Sequence, residues 1–315
     1  MKLLFHTDKP ETILDIVRRR HPTAAIACCT DYASMPETIA REMPEVLFTI
    51  RFAGTPGFPR AAILAAPSLR WVSVGGSGTD HLAPWDPARL TVTNAAGVAA
   101  DAMAQYVIGG ILHFAMGFAR RARERAWSTD SVTPINGRTI AILGLGKTGQ
   151  AVAKLAKASG MHVVGVRARP AATAGVDRVE PIERLHDVLR LADYLAVCLP
   201  LTPATRGAID AAAFQALKPG AVLVDVSRGG IVRQAALLAA LRDGRVAGAV
   251  LDVFETEPLP PDNPLWAMEN VVITPHCSSV YEGWERRAVD MFCDNLDRWL
   301  AGASLENIVD PARGY

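Results

Sequence analysis

The sequence predicts an α/β protein built from two doubly wound, parallel-sheet domains, and three observations carry that expectation. Short apolar runs alternate with amphipathic segments through residues 1–98, and a second alternating series begins at Thr139. The chain has 315 residues, which suits two domains better than one. Hydrophobic residues make up 50% and charged residues 21%, so the chain can bury two cores and is not disordered. Strands that alternate with helices imply parallel sheets covered on both faces.

In the first series, Lys2–His6, Ala24–Cys28, Val46–Arg51, Trp71–Val74 and Thr91–Thr93 read as strands. Glu11–Arg20, Pro36–Met43 and Phe58–Ala65 read as the helices between them. A long apolar helix is expected over Asp101–Arg120, followed by a basic, irregular segment, Arg121–Asn136. The second series has expected strands at Thr139–Leu143, His162–Val166, Tyr194–Leu199, Ala221–Val226, Ala249–Val253 and Val271–Thr274. Its helices are Thr148–Ala158, Glu183–Leu191, Ala211–Leu217 and Gln234–Leu241. A last amphipathic helix, Tyr281–Leu300, carries Trp284, Val289, Phe292, Leu296 and Trp299 at helical spacing.

Charge and cysteine usage narrow the function classes. Lys+Arg is 33 against Asp+Glu 32, a net charge of +1, which leaves no global field for nucleic acid or an anionic membrane. A local basic patch stays open. The cysteines Cys28, Cys29, Cys198, Cys277 and Cys293 are odd in number and show no CxxC spacing, so neither a disulfide framework nor a metal site is expected. Residues 1–8 turn polar too soon for a signal peptide. The most apolar stretch, Ala102–Phe118, contains Gln105 and His113. A cytoplasmic protein with reduced thiols is the expectation.

Gly144-Leu145-Gly146-Lys147-Thr148-Gly149 matches G-x-G-x-x-G between an apolar strand and a helix. Gly144 suits the tight turn, Gly146 a close approach of backbone to a pyrophosphate, and Gly149 close helix–strand packing. A helix N-terminus then offers free N–H groups and positive dipole to phosphate. At the end of the next strand, where an NAD site places an acid for the ribose hydroxyl, the chain has Arg167 and Arg169. A guanidinium cannot accept from a hydroxyl but pairs well with a 2′-phosphate, so NADP(H) is favoured over NAD(H).

Three later segments each close an expected strand: Asp225-Val226-Ser227-Arg228-Gly229-Gly230, Leu251–Leu259 and Ile273-Thr274-Pro275-His276. Doubly wound sheets keep their sites at such carboxyl ends. An Arg, a Glu and a His could converge there. Reducing a 2-oxo acid places hydride on the carbonyl carbon and a proton on its oxygen. A fixed cation and a donor should face that oxygen. Histidine titrates near neutrality and can deliver the proton, and a neighbouring carboxylate favours its charged form. Arg matches a planar carboxylate better than Lys.

With these segments the chain resembles the D-isomer-specific 2-hydroxyacid dehydrogenases. The likeness rests on Gly76-Ser77-Gly78-Thr79-Asp80-His81, Asn94-Ala95-Ala96-Gly97, the glycine motif, Ser227-Arg228-Gly229, Leu251–Pro258 and Thr274-Pro275-His276. Within the family it is most similar to the bacterial glyoxylate/hydroxypyruvate reductase A branch, through Arg167-x-Arg169, Phe254–Pro264 and Ala312-Arg313-Gly314-Tyr315. The resemblance implies a Rossmann dinucleotide domain, 99–282, inserted into a flavodoxin-like substrate domain, 1–98 plus 283–315, with the active site in the cleft between them.

It also implies roles. Arg228 would bind the substrate carboxylate and keto oxygen, His276 would donate the proton, and Glu257 would hold His276. Asp252 would bond the nicotinamide carboxamide, and the amides of Ser77 and Gly78 would cradle the substrate carboxylate. Lys147, Thr148, Leu199, Pro200, Val226 and Ser227 fall on the cofactor side. Arg51 closes a first-domain strand where phosphoglycerate dehydrogenases carry a substrate-binding Arg. Either a more acidic substrate or a stabilised loop follows from it. His81 and His113 are read as structural.

The chain departs from the family pattern in four places. Gln105 stands where Glu is common, Asp225 where Asn is common, and Arg233-Gln234 where Asp-Glu is frequent. Cys277-Ser278-Ser279 follows His276.

The expected reaction is NADPH-dependent reduction of glyoxylate or hydroxypyruvate to glycolate or the (R)-2-hydroxy acid. The alternatives are a phosphoglycerate-dehydrogenase-like enzyme on a phosphorylated acid and a non-catalytic dinucleotide sensor. The intact Arg228/Glu257/His276 set argues against the sensor. The apolar helix and the segment with Trp127 predict a homodimer, in which Trp127 would reach the neighbour's active site as in similar reductases.

Overall fold

The structure is a computed structural model, and it describes residues 1–51 and 54–314, except the side chain of Ala119. Tyr315, part of the C-terminal run cited above, lies outside the described residues. In chain order the elements are β1 (Lys2–His6), α1 (Pro10–Arg20), β2 (Ala25–Cys29), α2 (Met35–Glu42), β3 (Val46–Thr49), α3 (Arg60–Ala65), β4 (Trp71–Val74) and β5 (Thr91–Asn94). Then come α4 (Ala100–Ala115), α5 (Phe118–Arg123), β6 (Thr139–Leu143), α6 (Lys147–Ala158), β7 (His162–Val166), β8 (Arg178–Glu180) and α7 (Leu185–Leu189). The remainder are β9 (Tyr194–Val197), α8 (Ala211–Ala216), β10 (Ala221–Asp225), α9 (Gln234–Arg242), β11 (Val246–Leu251), β12 (Val271–Ile273) and α10 (Trp284–Leu300).

The chain divides into two compact units, Met1–Val98 with Tyr281–Tyr315, and Ala99–Val280. The second crossing falls two residues before the position read from sequence. Unit one holds a five-stranded sheet in the order β2-β1-β3-β4-β5, with every neighbour parallel. This is the flavodoxin-like order. Its amphipathic last helix, α10, packs on α1. Phe292 of α10 stacks on Trp71 at 5.2 Å and meets Phe5 edge-on at 5.2 Å, which ties the C-terminal segment to the N-terminal sheet.

Unit two holds a seven-stranded sheet, β12-β11-β10-β9-β6-β7-β8, again all parallel. The chain winds outward from β6 through β7 to β8, then crosses back to β9 on the other side. The crevice outside the carboxyl ends of β6 and β9 is therefore the topological switch point. Both faces are covered. Val107 and Ile111 of α4 and Val152 of α6 fill one core, while Val188, Phe214 and Leu237 of α7, α8 and α9 fill the other.

Several expected elements are corrected. The helix expected over Asp101–Arg120 is broken: α4 ends at Ala115, and Gly117 turns left-handed at φ 64° before α5. Apolar periodicity alone did not reveal that stop. The expected strand Ala249–Val253 begins earlier, at Val246, and ends at Leu251. The last helix starts at Trp284 rather than Tyr281, because Gly283 at φ 81° precedes it. The helix expected over Glu183–Leu191 contracts to a 3-10 turn and the single-turn α7. The edge strand β8 escaped the sequence reading, since Arg-Val-Glu has neither length nor apolar signal. Among the described residues no helix is long and apolar enough to cross a membrane.

Candidate active site

The glycine motif lies at the carboxyl end of β6, at the switch point. Gly144 adopts φ +96°, and α6 starts directly after Gly146 with no side-chain cap, so its first N–H groups face outward. A Cβ at Gly149 would come within 1.9 Å of the Gly144 carbonyl oxygen, so only glycine lets the helix close on its own loop. A Cβ at Gly146 would meet nothing within 4 Å, which leaves the backbone open to a ligand. Lys147 is exposed and Thr148 is half-buried, with its hydroxyl 3.7 Å from Met103 Sδ. Leu199 and Pro200 follow β9 across the crevice. Arg167 and Arg169 follow β7, and neither guanidinium has an ion-pair partner among the described residues. The loop and the bare helix terminus fit the phosphates of a dinucleotide, and two cations stand at the end of the next strand.

Three neighbouring strands place the second group of residues. Leu251 of β11 pairs with Asp225 of β10 and with Ile273 of β12, so their carboxyl ends lie in a row. His276 Nδ1 is 2.8 Å from Glu257 Oε2. Glu257 is itself fixed, because its Oε1 accepts from the Phe254 backbone N–H at 3.0 Å. Nδ1 thus donates to a carboxylate and Nε2 is the nitrogen left for chemistry. Both side chains retain 20% exposure, enough for contact with a ligand. Arg228 is half-buried, and its Nη1 donates to the Ser227 carbonyl at 2.7 Å. Gly229 allows the Arg228 loop to lie on the Glu257 loop: a Cβ there would be 1.8 Å from the Phe254 carbonyl oxygen.

His276 is left-handed, at φ 53°, a conformation that a non-glycine residue holds only when its surroundings impose it. Asp252 imposes it. This carboxylate is buried, and it accepts from Thr274 Oγ1 at 2.6 Å and Cys277 N at 2.8 Å on one oxygen and from Ser278 N at 3.0 Å on the other. Thr274 Oγ1 also lies 2.6 Å from the Tyr106 hydroxyl, whose own ionisation burial pushes up to about 12. Thr274 belongs to the quoted Thr-Pro-His run, but its bond to Asp252, and the reach of Tyr106 from α4, had no sequence signal. They depend on tertiary packing.

Asp225 is buried, and it accepts from both the N–H and the hydroxyl of Ser227; Val226 beside it is buried as well. Burial pushes the Asp225 carboxyl up to about 7, with the Asp252 charge adding and the Ser227 hydrogen bonds opposing. The folded protein therefore holds a proton there that the unfolded chain releases above pH 4. Stability from this group is present in acid and is lost as pH rises toward 7. Asp225→Asn keeps an acceptor for Ser227 and cannot ionise. Urea unfolding at pH 5 and pH 8 should show the variant gaining about 3 kcal/mol on the parent between the two. Equal changes for the two proteins would contradict the assignment.

In unit one, Ser77 and Gly78 follow β4. Their N–H groups donate to no acceptor among the described residues, while the Ser77 carbonyl accepts from Asn94 Nδ2 at 2.8 Å. Arg51 lies beyond the end of β3, with Nη1 3.9 Å from Asp80 Oδ2. His81 packs edge-on to Phe58 at 4.7 Å, and His113 edge-on to Phe114 at 5.0 Å.

Comparison with known proteins agrees with this geometry. The profile of the D-isomer specific 2-hydroxyacid dehydrogenase NAD binding domain matches residues 110–278. The chain is 35% identical over 262 residues to a glyoxylate reductase of Korarchaeum cryptofilum, covering 78% of this chain and 77% of that one. Among solved structures it is similar to a D-isomer specific 2-hydroxyacid dehydrogenase from Xanthobacter autotrophicus Py2 in complex with NADPH and MES. The TM-score is 0.85 at 33% identity, over 100% of this chain and 99% of that one. It is similar also to an NADPH-dependent glyoxylate/hydroxypyruvate reductase from Sinorhizobium meliloti in complex with NADP and sulfate. There the TM-score is 0.86 at 26% identity, over the full length of both.

Proposed function

The chain belongs to the D-isomer specific 2-hydroxyacid dehydrogenase family, an NAD(P)-dependent class of enzymes, and we propose that it reduces a small 2-oxo acid such as glyoxylate or hydroxypyruvate with NADPH. The observation that carries this reading is the 2.8 Å pair of His276 and Glu257 on the ends of neighbouring strands, with the Arg228 loop packed beside it. The bound dinucleotide supplies the hydride. Glu257 orients the ring through Nδ1, and His276 delivers a proton from Nε2 to the substrate oxygen. Arg228 holds the substrate carboxylate and faces the charge that grows on the oxygen. Ser77 and Gly78, whose N–H groups meet no acceptor among the described residues, offer both to an anion. Asp252 has its carboxylate engaged by Thr274, Cys277 and Ser278, and we assign it first to holding the His276 turn. A panel of 2-oxo acids against both cofactors, followed at the nicotinamide absorbance, tests the reading. No turnover with any of them would overturn it.

The preference for NADPH rests on Arg167 and Arg169, which have no acidic ion-pair partner among the described residues. The relatives solved with NADPH and with NADP are in accord. Changing Arg167 to Asp together with Arg169 to Ala should lower kcat/KM for NADPH by at least tenfold more than for NADH. Equal use of the two cofactors by the parent enzyme would refute the assignment.

We further infer a homodimer. Trp127 is 97% exposed and Phe118 57%, on a segment that a second copy would cover. Light scattering at micromolar concentration should give twice the 33.7 kDa chain mass, and a particle of one chain mass would end this proposal.

A further inference from the structure

We propose that unit two carries a second ligand site, for a small organic polyanion bearing two or more carboxylate or phosphate groups, in a cavity lined by His113, Arg123, Arg138 and Lys218. The cavity has a volume of about 720 Å³, the size of a metabolite site. Tyr194, Ala221 and Ala247 line it, at the amino-terminal ends of β9, β10 and β11. The glycine motif and His276 follow the carboxyl ends of their strands, so the cavity lies at the opposite edge of the same sheet. A ligand there would occupy neither the dinucleotide loop nor the proton donor.

The charge balance favours an anion. Four basic side chains, Arg120, Arg123, Arg138 and Lys218, share the lining with two carboxylates, Asp193 and Glu269. Arg120 is already engaged by Glu124 at 2.8 Å and Asp130 at 2.6 Å. Arg138 and Arg123 are not: each stands 3.9 Å from its nearest acid, Asp193 and Glu269 respectively, beyond hydrogen-bond distance. The charge of Asp193 is spent on Lys218 Nζ at 3.0 Å and on the Thr139 N–H at 2.8 Å, so it arrays the cations more than it repels a ligand. Glu269 is 90% exposed and can turn away.

Phe114, Tyr194 and Val222 give the cavity apolar walls for the body of an organic ligand. The chain as a whole is almost neutral, at +1, yet residues 118–125 read Phe-Ala-Arg-Arg-Ala-Arg-Glu-Arg. Neither the dinucleotide loop nor the His276 site draws on these arginines, although the inferred second copy would lie against part of the same segment. Guanidinium forks suit planar carboxylate and phosphate groups.

Isothermal titration of the 315-residue chain, saturated with NADPH and a 2-hydroxy acid, a pair that cannot exchange hydride, tests the site with citrate and with inorganic pyrophosphate as probes. Occupying the dinucleotide loop and Arg228 first removes their anion binding from the signal. One added site per chain is expected for at least one probe, with affinity reduced at least tenfold in Arg138→Gln/Lys218→Gln. Arg123 is 67% exposed, so Arg123→Glu leaves the core untouched and should weaken the probe as strongly. In probe-free buffer kcat/KM should stay within twofold of the parent in each variant. No heat with either probe, or heat unchanged in both variants, would overturn the proposal. So would a finding by light scattering that the variants only separate a dimer whose second copy fills the cavity.

Discussion

His276→Ala is expected to lower kcat/KM for 2-oxo acid reduction by about 10²–10⁴-fold across the whole pH range, the usual worth of a positioned proton donor. The neighbouring change behaves differently. Glu257→Gln keeps an oxygen for the Phe254 N–H but removes the negative charge 2.8 Å from Nδ1. Glu257→Gln should therefore lower kcat/KM for reduction by less than His276→Ala does, and the double variant should be little worse than His276→Ala alone, because the carboxylate acts through the ring. A double variant that loses the full product of the two single losses would show that the 2.8 Å contact plays no part in proton delivery.

Arg228→Ala carries the second large effect. The side chain serves substrate binding and the developing oxyanion together, so both KM and kcat should suffer, with kcat down by about 10²–10³-fold. Arg228→Lys retains a cation but not the fork, and a single ammonium cannot hold two oxygens in a plane. It should recover part of kcat and little of KM. Steady-state kinetics with one 2-oxo acid separate these cases. An Arg228→Ala enzyme with unchanged kcat would reduce the residue to uniform binding of the carboxylate.

Much of this was legible from particular residues. Thr139–Leu143 is five consecutive residues with one polar member, followed at once by the glycine motif, and it is a central strand with the motif at its carboxyl end. His276 and Glu257 belong to local patterns that sequence alone presents, and each follows a strand of the parallel sheet. By contrast Arg178–Glu180 is a three-residue edge strand with two charges, and pairing with β7 is the only thing that makes it a strand. The break at Gly117 was hidden because apolar residues continue on both sides of it, and a single glycine inside a helical pattern is common enough to pass.

The sequence by itself determined the alternation of elements, the two parallel sheets, the dinucleotide turn and the residue types of the candidate site, because each of these is written in spacings of a few residues. Only the tertiary structure decided which strands are neighbours, and with that the meeting of His276 with Glu257. It also decided the inward turn of Asp252 toward Thr274, Cys277 and Ser278, the burial that moves Asp225, and the gathering of Arg123, Arg138 and Lys218 around one cavity. Side chains from distant segments share an environment only after the sheet has ordered its strands. A local pattern fixes what a residue can do, whereas its charge state and its partners follow from what the fold brings within a few ångströms of it.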